Sequence, residues 1–295
     1  MDSKYCDRET LQQCPICNGS ELGLFLISNG ENIIRCSDCD LLFVNPRPTS
    51  TAIRRLFEEE YIDNSERVAE DFTSWRTDSL RREARLLSRL RPEGGRLLDI
   101  GTASGAFLGY FTNEPQWQVE GVEPSRFAAR EAAKRYQVPV HPGFLSDQAF
   151  PDSSFDVVTS LDAFCFHPDP VADLKEIVRI LRPGGLVAME IPGLRFRLLK
   201  NSGLLCRLIY GEPVRLNAGV HLFYYSRITL GRLMARFGFS ELLSAPERSP
   251  LYGHLIVKML NHLYFGVSGG LYRLSKGASW VPVPKEFLVY RLENK

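Results

Sequence analysis

The sequence predicts an α/β protein built on a doubly wound parallel sheet, preceded by a small metal-binding module and a helical linker. Three observations predict this arrangement. Apolar strand-like runs alternate with helical segments between about residues 96 and 193, four cysteines form two CxxC pairs near the N-terminus, and a small-residue turn follows the first buried run. With 295 residues, 44% of them hydrophobic, the chain can bury one sizeable core.

Charge and hydropathy exclude several classes of protein. The 36 basic and 35 acidic residues give a formal net charge of +1, so no whole-molecule field attracts nucleic acid or an anionic membrane, although a local basic face is compatible with this balance. The start "MDSKYCDRET" lacks the pattern of a secretory signal, and no transmembrane run is found. The most apolar stretch, residues 251–274, is interrupted by polar residues and indicates a buried or interfacial helix. We expect a cytoplasmic protein.

The cysteines define the first module, residues 1–48. Cys14 and Cys17 are followed, after eighteen intervening residues, by Cys36 and Cys39. This spacing is typical of a tetrahedral zinc ribbon. Because four thiolates would fill the coordination shell, we expect structural rather than catalytic Zn²⁺. A redox CxxC would need to begin a helix in a βαβ unit, which neither pair does.

The helical linker, residues 49–92, contains an amphipathic pattern. In "SLRREARLLSRL" the apolar residues Leu80, Ala84, Leu87 and Leu90 recur at helical spacing between charged residues.

The third region, residues 93–295, contains the predicted sheet. "RLLDIG", "WQVEGVE", "FDVVTSL" and "LVAMEIP" are typical of buried strands, with helices predicted near Ser104–Phe111, Arg126–Tyr136 and Val171–Leu181. Further along, "ITLGRLMARFGF" predicts a helix and "EFLVYRL" a last strand, whereas residues 193–226 form a variable, lid-like region.

The turn after the first strand suggests the ligand. Gly101, Ala103 and Gly105 would let a cofactor approach the backbone at the carboxyl edge of the sheet. Asp99 precedes the turn, where a carboxylate would repel a pyrophosphate but suit a cationic ligand. Glu123 ends the next strand, where an acidic side chain can accept hydrogen bonds from ribose hydroxyls.

At residues 96–192 the chain resembles the class I S-adenosylmethionine-dependent methyltransferases, specifically the bacterial small-molecule group. The resemblance rests on "LLDIGTASGAFL", "VEGVEPS", "FPDSSFDVVTSLDAF" and "HPDPVADLKEIVRILRPGGLVAMEIP". It implies a Rossmann-like fold and S-adenosylmethionine as the cofactor. Asp99, Gly101 and Gly105 would contact its methionine part, with Ala103 where relatives often have Gly. Glu123 would bind the ribose, Phe144 or Leu145 the adenine, and Leu161 would lie beneath the methyl group.

The acceptor and the catalytic base are less well defined. His167, after the fourth strand, and His221, in "GVHLFYYS", are the candidate bases, although each is also compatible with a structural role. The segment Arg195 to Arg215 is either a basic lid over an anionic substrate or a solvated amphipathic helix. The "SLDAF" sequence lacks the aromatic motif of many amino-methylating enzymes.

The sequence therefore predicts methyl transfer to a small molecule, such as a hydroxyl or sugar carbon of a glycan precursor or secondary metabolite. One alternative is an RNA base methyltransferase that grips RNA through its zinc ribbon. Residues 14–40 carry Arg35 as their one basic residue, which makes nucleic acid an unlikely partner. Another alternative is a noncatalytic binding partner. The acceptor atom and the oligomeric state stay open.

Overall fold

The structure, a computed structural model, describes residues 7–63, 76–200, 216, 221–247, 255–275 and 280–293. In chain order the strands are β1 (Arg8–Glu9), β2 (Leu22–Ser28), β3 (Glu31–Cys36), β4 (Leu42–Val44), β5 (Arg47–Pro48), β6 (Gly95–Ile100), β7 (Trp117–Glu123), β8 (Val140–Pro142), β9 (Phe155–Leu161), β10 (Leu181–Pro192), β11 (Phe223–Tyr224), β12 (Phe239–Glu247) and β13 (Lys285–Leu292). The α-helices are α1 (Ser50–Asp63), α2 (Thr77–Leu90), α3 (Arg126–Tyr136), α4 (Pro170–Ile180), α5 (Leu194–Lys200), α6 (Arg227–Arg236) and α7 (Leu255–Leu274).

The main sheet confirms the predicted Rossmann-like architecture. Among the described residues it has seven strands in the order β12-β13-β10-β9-β6-β7-β8. Neighbours from β10 to β8 are parallel, whereas β13 runs antiparallel to both β10 and β12. The order reverses at β6, between β7 and β9. This switch point creates a crevice beyond the carboxyl ends of the strands.

Alternation along the strands divides the core into two layers. Leu97 and Val157 pack toward α2, with its buried Leu87, while Leu98 and Val158 face the opposite layer. Because both faces of the sheet are covered, every residue of β9 is buried. Its sequence, "FDVVTSL", accordingly does not alternate between polar and apolar residues.

The N-terminal module is joined to the rest of the chain through a shared sheet and a shared core. Strands β2, β3 and β4 are antiparallel, and β11 from the C-terminal region pairs with β4. The Ser28 hydroxyl donates to the carbonyl oxygen of Leu216 over 2.9 Å. Leu41 and Phe43 belong to the same buried cluster as Leu98 of the main sheet. The division at residue 48 stays a prediction, but the module is packed as part of one core.

One predicted helix is wrong, because Ser104–Phe111 contains only a 3-10 turn at Leu108–Tyr110. The physical reason is the backbone conformation around the predicted helix start. Gly101, Ala103 and Gly105 have φ of 75°, 47° and 73°. Positive φ lies outside the right-handed helical region, so this segment follows a series of tight turns.

The predicted lid region is described only in part. Residues 194–200 form α5 and residues 223–224 form β11, whereas residues 201–215 and 217–220 lie outside the described residues. In the part of the chain that is described, no helix combines the length and apolarity needed to cross a membrane.

Candidate active site

A cavity of about 290 Å³ lies at the switch point, beyond the carboxyl ends of β6, β7 and β9. It brings together most of the residues that the sequence predicted for the cofactor, namely Asp99, Gly101, Ala103, Glu123, Phe144, Leu145 and Leu161. The predicted base His167 also lines it. Residues separated by more than sixty positions in the chain therefore form one site.

Gly105 does not line the cavity, although the resemblance placed it against the cofactor. A Cβ atom at Gly105 would lie 2.8 Å from Cβ of Ala132 and 3.0 Å from the ring of Tyr136. Its small size thus allows the turn to pack closely against α3. Gly101 is similarly constrained, since a Cβ there would come within 2.6 Å of Ala163.

Ala103, where relatives often have Gly, has a backbone conformation that favours glycine. Its φ of 47° is in the left-handed region, which a residue with a Cβ adopts at some cost. In this conformation its N–H donates to the carboxylate of Glu123 over 2.8 Å. The turn is therefore fixed by the same acidic side chain that borders the cavity.

Two buried carboxyl groups define the polar wall of the cavity. Asp99 accepts a hydrogen bond of 2.6 Å from the Thr159 hydroxyl, and burial raises its pKa to about 6. Glu123 accepts from Ala103 and from the Ser125 N–H, at 2.8 and 2.9 Å, while burial raises its pKa to about 7. Each carboxylate has further lone pairs that can accept from a ligand.

Aromatic residues close the cavity on the side of β8 and the linker. The ring of Phe57 from α1 packs edge-on against Phe144 and Phe166, with centroids 6.3 and 6.1 Å apart. Arg54 lies over the Phe144 ring and pairs with Asp147 at 2.7 Å. The linker therefore contributes to the wall of the cavity through Phe57.

His167 is held in a defined orientation. Its Nδ1 lies 2.6 Å from the carboxylate of Asp173, and the residue is buried at the edge of the cavity. If Nδ1–H donates to this carboxylate, Nε2 is left as a proton acceptor. This pairing is the arrangement expected of an oriented base.

His221 is separated from the cavity that contains His167. It lies against the ring of Phe166, at 4.5 Å between centroids, beside a small second cavity that Cys165 and Arg197 also line. Burial, with the positive charge of Arg197, lowers the pKa of His221 to about 4. Its role as a base stays a prediction.

Asp162 lines the cavity and was missed by the sequence analysis. It follows β9 directly, has φ of 60°, and accepts from the Lys285 ammonium over 2.7 Å. Its Oδ1 is buried and has no hydrogen-bond partner among the described residues. The available signal was its position at a strand end, one residue after Leu161.

Behind Asp162 lies a buried network of charges. Lys285 also donates to Glu190 over 2.6 Å, and Arg76 donates to the same carboxylate over 2.8 Å. Burial alone would raise the pKa of Glu190, but the charges of Arg76 and Lys285 lower this pKa to about 2. Burial and the adjacent Glu190 charge raise the pKa of Glu83 well above its usual value, which favours its protonated form.

The four cysteines come together as predicted. The Sγ atoms of Cys14, Cys17, Cys36 and Cys39 lie within 4.8 Å of one another. Cys14 and Cys39 are 3.6 Å apart, as are Cys17 and Cys36. Metal–sulfur bonds of about 2.3 Å in a tetrahedron give sulfur separations of roughly 3.8 Å. This four-cysteine cluster can hold a metal ion.

The donor set of the cavity fits S-adenosylmethionine. Asp99 and Glu123 present carboxylates, while the cation that lines the cavity, Arg76, is already engaged with Glu190. A pyrophosphate would meet repulsion here. A ligand with cationic groups, hydroxyls and an aromatic base matches the carboxylates and the Phe144 wall.

Comparison with protein families agrees with this geometry. The model of a methyltransferase domain family matches residues 72–244, which is more than half of the chain. The chain therefore belongs to the methyltransferase family, and its fold and site place it among the class I S-adenosylmethionine-dependent members.

Curated relatives share the central part of the chain. Nocamycin O-methyltransferase of Saccharothrix syringae is 38% identical over 117 residues, 37% of this chain and 42% of that protein. The 2-methyl-6-phytyl-1,4-hydroquinone methyltransferase of Synechocystis is 31% identical over 128 residues, 41% of this chain and 40% of that protein. The match thus spans less than half the length of these relatives.

Solved structures support the fold alone. The S-adenosylmethionine-dependent methyltransferase from Mesorhizobium loti aligns with a TM-score of 0.50 at 16% identity, over 74% of this chain and 98% of that one. The cyclase SpnF aligns with a TM-score of 0.51 at 17% identity, over 76% of this chain and 84% of that one.

Proposed function

We propose that the protein transfers a methyl group from S-adenosylmethionine to a small-molecule acceptor, a hydroxyl or sugar carbon of a glycan precursor or secondary metabolite. The observation that carries the proposal is the cavity that Asp99, Glu123 and His167 all line, with His167 held by Asp173 from outside the lining. Carboxylates suited to the cofactor and an oriented base border the same space.

The cofactor end of the proposal rests on charge and shape. When bound, S-adenosylmethionine supplies an electrophilic methyl group on a sulfonium. Glu123 would accept from its ribose hydroxyls, and Asp99 would face its cationic methionine part. Phe144 and Leu145 would cover the adenine. Burying the carboxylates of Asp99 and Glu123 carries a desolvation penalty in free energy. Attraction to a cationic ligand would offset that penalty.

At the acceptor end, His167 would take the proton from an acceptor hydroxyl. While the bound cofactor would supply the methyl group, Nε2 of His167 would take the hydroxyl proton that the acceptor oxygen loses. Asp173 stabilises the resulting imidazolium. Leu161 would lie beneath the methyl group and help to align the three reacting atoms.

Asp162 would orient the acceptor beside His167. Its buried Oδ1, which has no partner in the described part of the chain, can accept from a second hydroxyl, while Lys285 holds the other oxygen in place. Phe166, directly before His167, adds an apolar wall, and Phe57 packs against it. This combination favours a hydroxylated acceptor with an apolar part.

The charges of the N-terminal module favour a small molecule over RNA. Arg35 pairs with Asp40, and Arg8 pairs with Glu31, so these cations are already neutralised locally. We assign Zn²⁺ to the four-cysteine cluster as a structural ion. We also propose that the protein works in the reducing cytoplasm, because the four cysteines must stay free of disulfides to bind the ion.

The proposal is tested with methyl-labelled S-adenosylmethionine and the low-mass fraction of an extract from the source cells. We expect S-adenosylhomocysteine to form and label to appear in a low-mass compound, both reduced in His167→Gln but not in the matched His141→Gln. His141 contacts Glu120 and does not line the cavity. Label in nuclease-sensitive RNA, or no turnover by folded protein with any fraction, would overturn it.

A further inference from the structure

The outward face of α7 carries an apolar stripe. Met259, Leu263, Val267, Leu271 and Leu274 follow one another at intervals of three or four residues, which places them along one side of the helix. Their exposed fractions run from 43% at Leu271 to 85% at Leu274. A row of five large, exposed apolar side chains is costly in water unless another surface covers it.

Contacts on the opposite face fix the direction of the stripe. Phe265, Ser268 and Tyr272 are buried, and the Tyr272 hydroxyl contacts Ser244 of β12. The Tyr264 hydroxyl donates to the carbonyl oxygen of Pro282 over 2.6 Å. Because α7 is already packed through these residues, the stripe is not the face that joins the helix to the core.

Helix α5 extends this face. The rings of Phe196 in α5 and Tyr264 in α7 pack with centroids 5.5 Å apart. Leu199 of α5 is 65% exposed, and Trp280, which follows α7, is 58% exposed. Exposed leucines beside an exposed tryptophan are the composition of helices that lie in a membrane interface.

Charge is strongly segregated on the same two segments. Residues 249–284 contain three basic residues and no acidic one, and residues 191–211 contain four basic residues and no acidic one. The whole chain, by contrast, has 36 basic and 35 acidic residues. Among the basic residues, Arg195 and Arg273 are exposed. Helices α5 and α7 contain no acidic residue, so the exposed Arg195 and Arg273 are not neutralised from within these helices.

We propose that α7 and α5 form a docking face for an anionic lipid bilayer. The stripe would enter the interface between headgroups and acyl chains, while the basic residues pair with anionic headgroups. Charge complementarity selects this occupant over a second copy of the chain, because two equally cationic faces would repel each other. The inference is independent of the proposed reaction.

The face also lies beside the cavity. Strand β10 ends at Pro192, α5 begins at Leu194, and the Gly193 N–H between them donates to the Pro284 carbonyl oxygen over 2.8 Å. The next residue, Lys285, reaches Asp162 in the cavity. Docking through α5 and α7 would therefore bring the acceptor end of the site close to the bilayer surface.

The test is co-sedimentation of the full chain with vesicles of phosphatidylglycerol and phosphatidylcholine in equal parts, against vesicles of phosphatidylcholine alone. We expect binding to the anionic vesicles that weakens as salt is raised. The variant Leu263→Glu/Val267→Glu should bind at least about tenfold more weakly, since charges replace apolar anchors. Arg195→Glu/Arg273→Glu should weaken binding by a similar factor.

The matched control is Leu24→Glu/Ile27→Glu, which changes two equally exposed apolar residues on β2 and should bind like the wild type. Thermal melting establishes that each variant folds. No sedimentation of folded wild type with anionic vesicles would overturn the proposal. So would a wild-type dimer that Leu263→Glu/Val267→Glu converts to monomer without any vesicle binding, because the face would then join two copies.

Discussion

At the scale of single residues, the strand ends carry most of the proposed chemistry. Asp99 is the penultimate residue of β6, Glu123 ends β7 and Asp162 follows β9, and all three border the same cavity. Burial raises the pKa of Asp99 and of Glu123. Carboxyl groups with shifted pKa values are common at functional sites.

His167→Ala should lower the turnover rate by about 10²- to 10⁴-fold, because the acceptor proton loses its base. Its effect on the dissociation constant of S-adenosylhomocysteine should be small. Single-turnover measurements and calorimetry separate the two quantities. Asp173→Asn should also lower the rate, since Asp173 orients the imidazole. An unchanged rate in both variants would remove His167 from the mechanism.

Glu83→Gln should raise the free energy of unfolding at about pH 8 by roughly 1 to 2 kcal/mol. The pKa of Glu83 is raised in the folded state, so the folded protein binds this proton more tightly than the unfolded chain. Stability from this group is present at low pH and falls as pH rises above the ordinary value of the carboxyl.

Urea unfolding at several pH values measures the difference between Glu83→Gln and wild type. The difference should grow from about pH 5 to about pH 8. The exposed Glu93→Gln serves as the control and should show no such trend. A difference that is independent of pH would show that Glu83 does not carry the buried proton.

At the scale of secondary-structure elements, the N-terminal cysteine module and the catalytic sheet are packed as one unit. Strand β11 pairs with β4, and the buried Leu41 and Phe43 share a cluster with Leu98 of β6. The carbonyl oxygen of Ile16 accepts from Arg236 of α6. Loss of a metal ion held by the four-cysteine cluster should therefore affect the catalytic region.

Removing the metal with a chelator should lower the melting temperature of the whole chain in a single cooperative transition, because the module has too small a core to fold without its ion. Differential scanning calorimetry measures this, and Cys39→Ser should reproduce it. Cys165→Ser, a buried cysteine outside the cluster, is the control. A separate low-temperature transition, with the main one unchanged, would contradict the shared core.

The sequence was informative where a signal is local and uninformative where it depends on tertiary placement. Asp99 and Glu123 could be predicted because each ends an apolar run, and the CxxC spacing alone indicated the cluster. The turn at Gly101–Gly105 was predicted, but the helix predicted near Ser104–Phe111 was wrong, because the positive φ values here are not visible in the composition. The pairing of β11 with β4 brings together residues 180 positions apart, which no local pattern encodes.

At the scale of the whole molecule, the proposed cofactor site and the proposed docking face lie near the same edge of the sheet. The cavity lies at the carboxyl ends of the parallel strands, the helices α1 and α2 border it, and the face formed by α5 and α7 lies beside it. We propose that this cavity binds an adenosyl cofactor through Glu123 and Asp99.

The most direct test is calorimetric titration of the metal-loaded protein with S-adenosylhomocysteine, at about pH 8 and about pH 6, in wild type and Glu123→Gln. Glu120→Gln on the same strand is the control, because Glu120 pairs with Arg96 and lies outside the cavity. Ionised Glu123 accepts better from ribose hydroxyls, and its pKa is about 7 in the free protein.

We predict that wild type binds and that its affinity falls as pH is lowered, by up to about tenfold per pH unit. In Glu123→Gln the affinity should be about ten- to a hundredfold lower and depend less on pH, with Glu120→Gln unchanged. No binding by folded wild type, or equal binding by Glu123→Gln, would contradict the account.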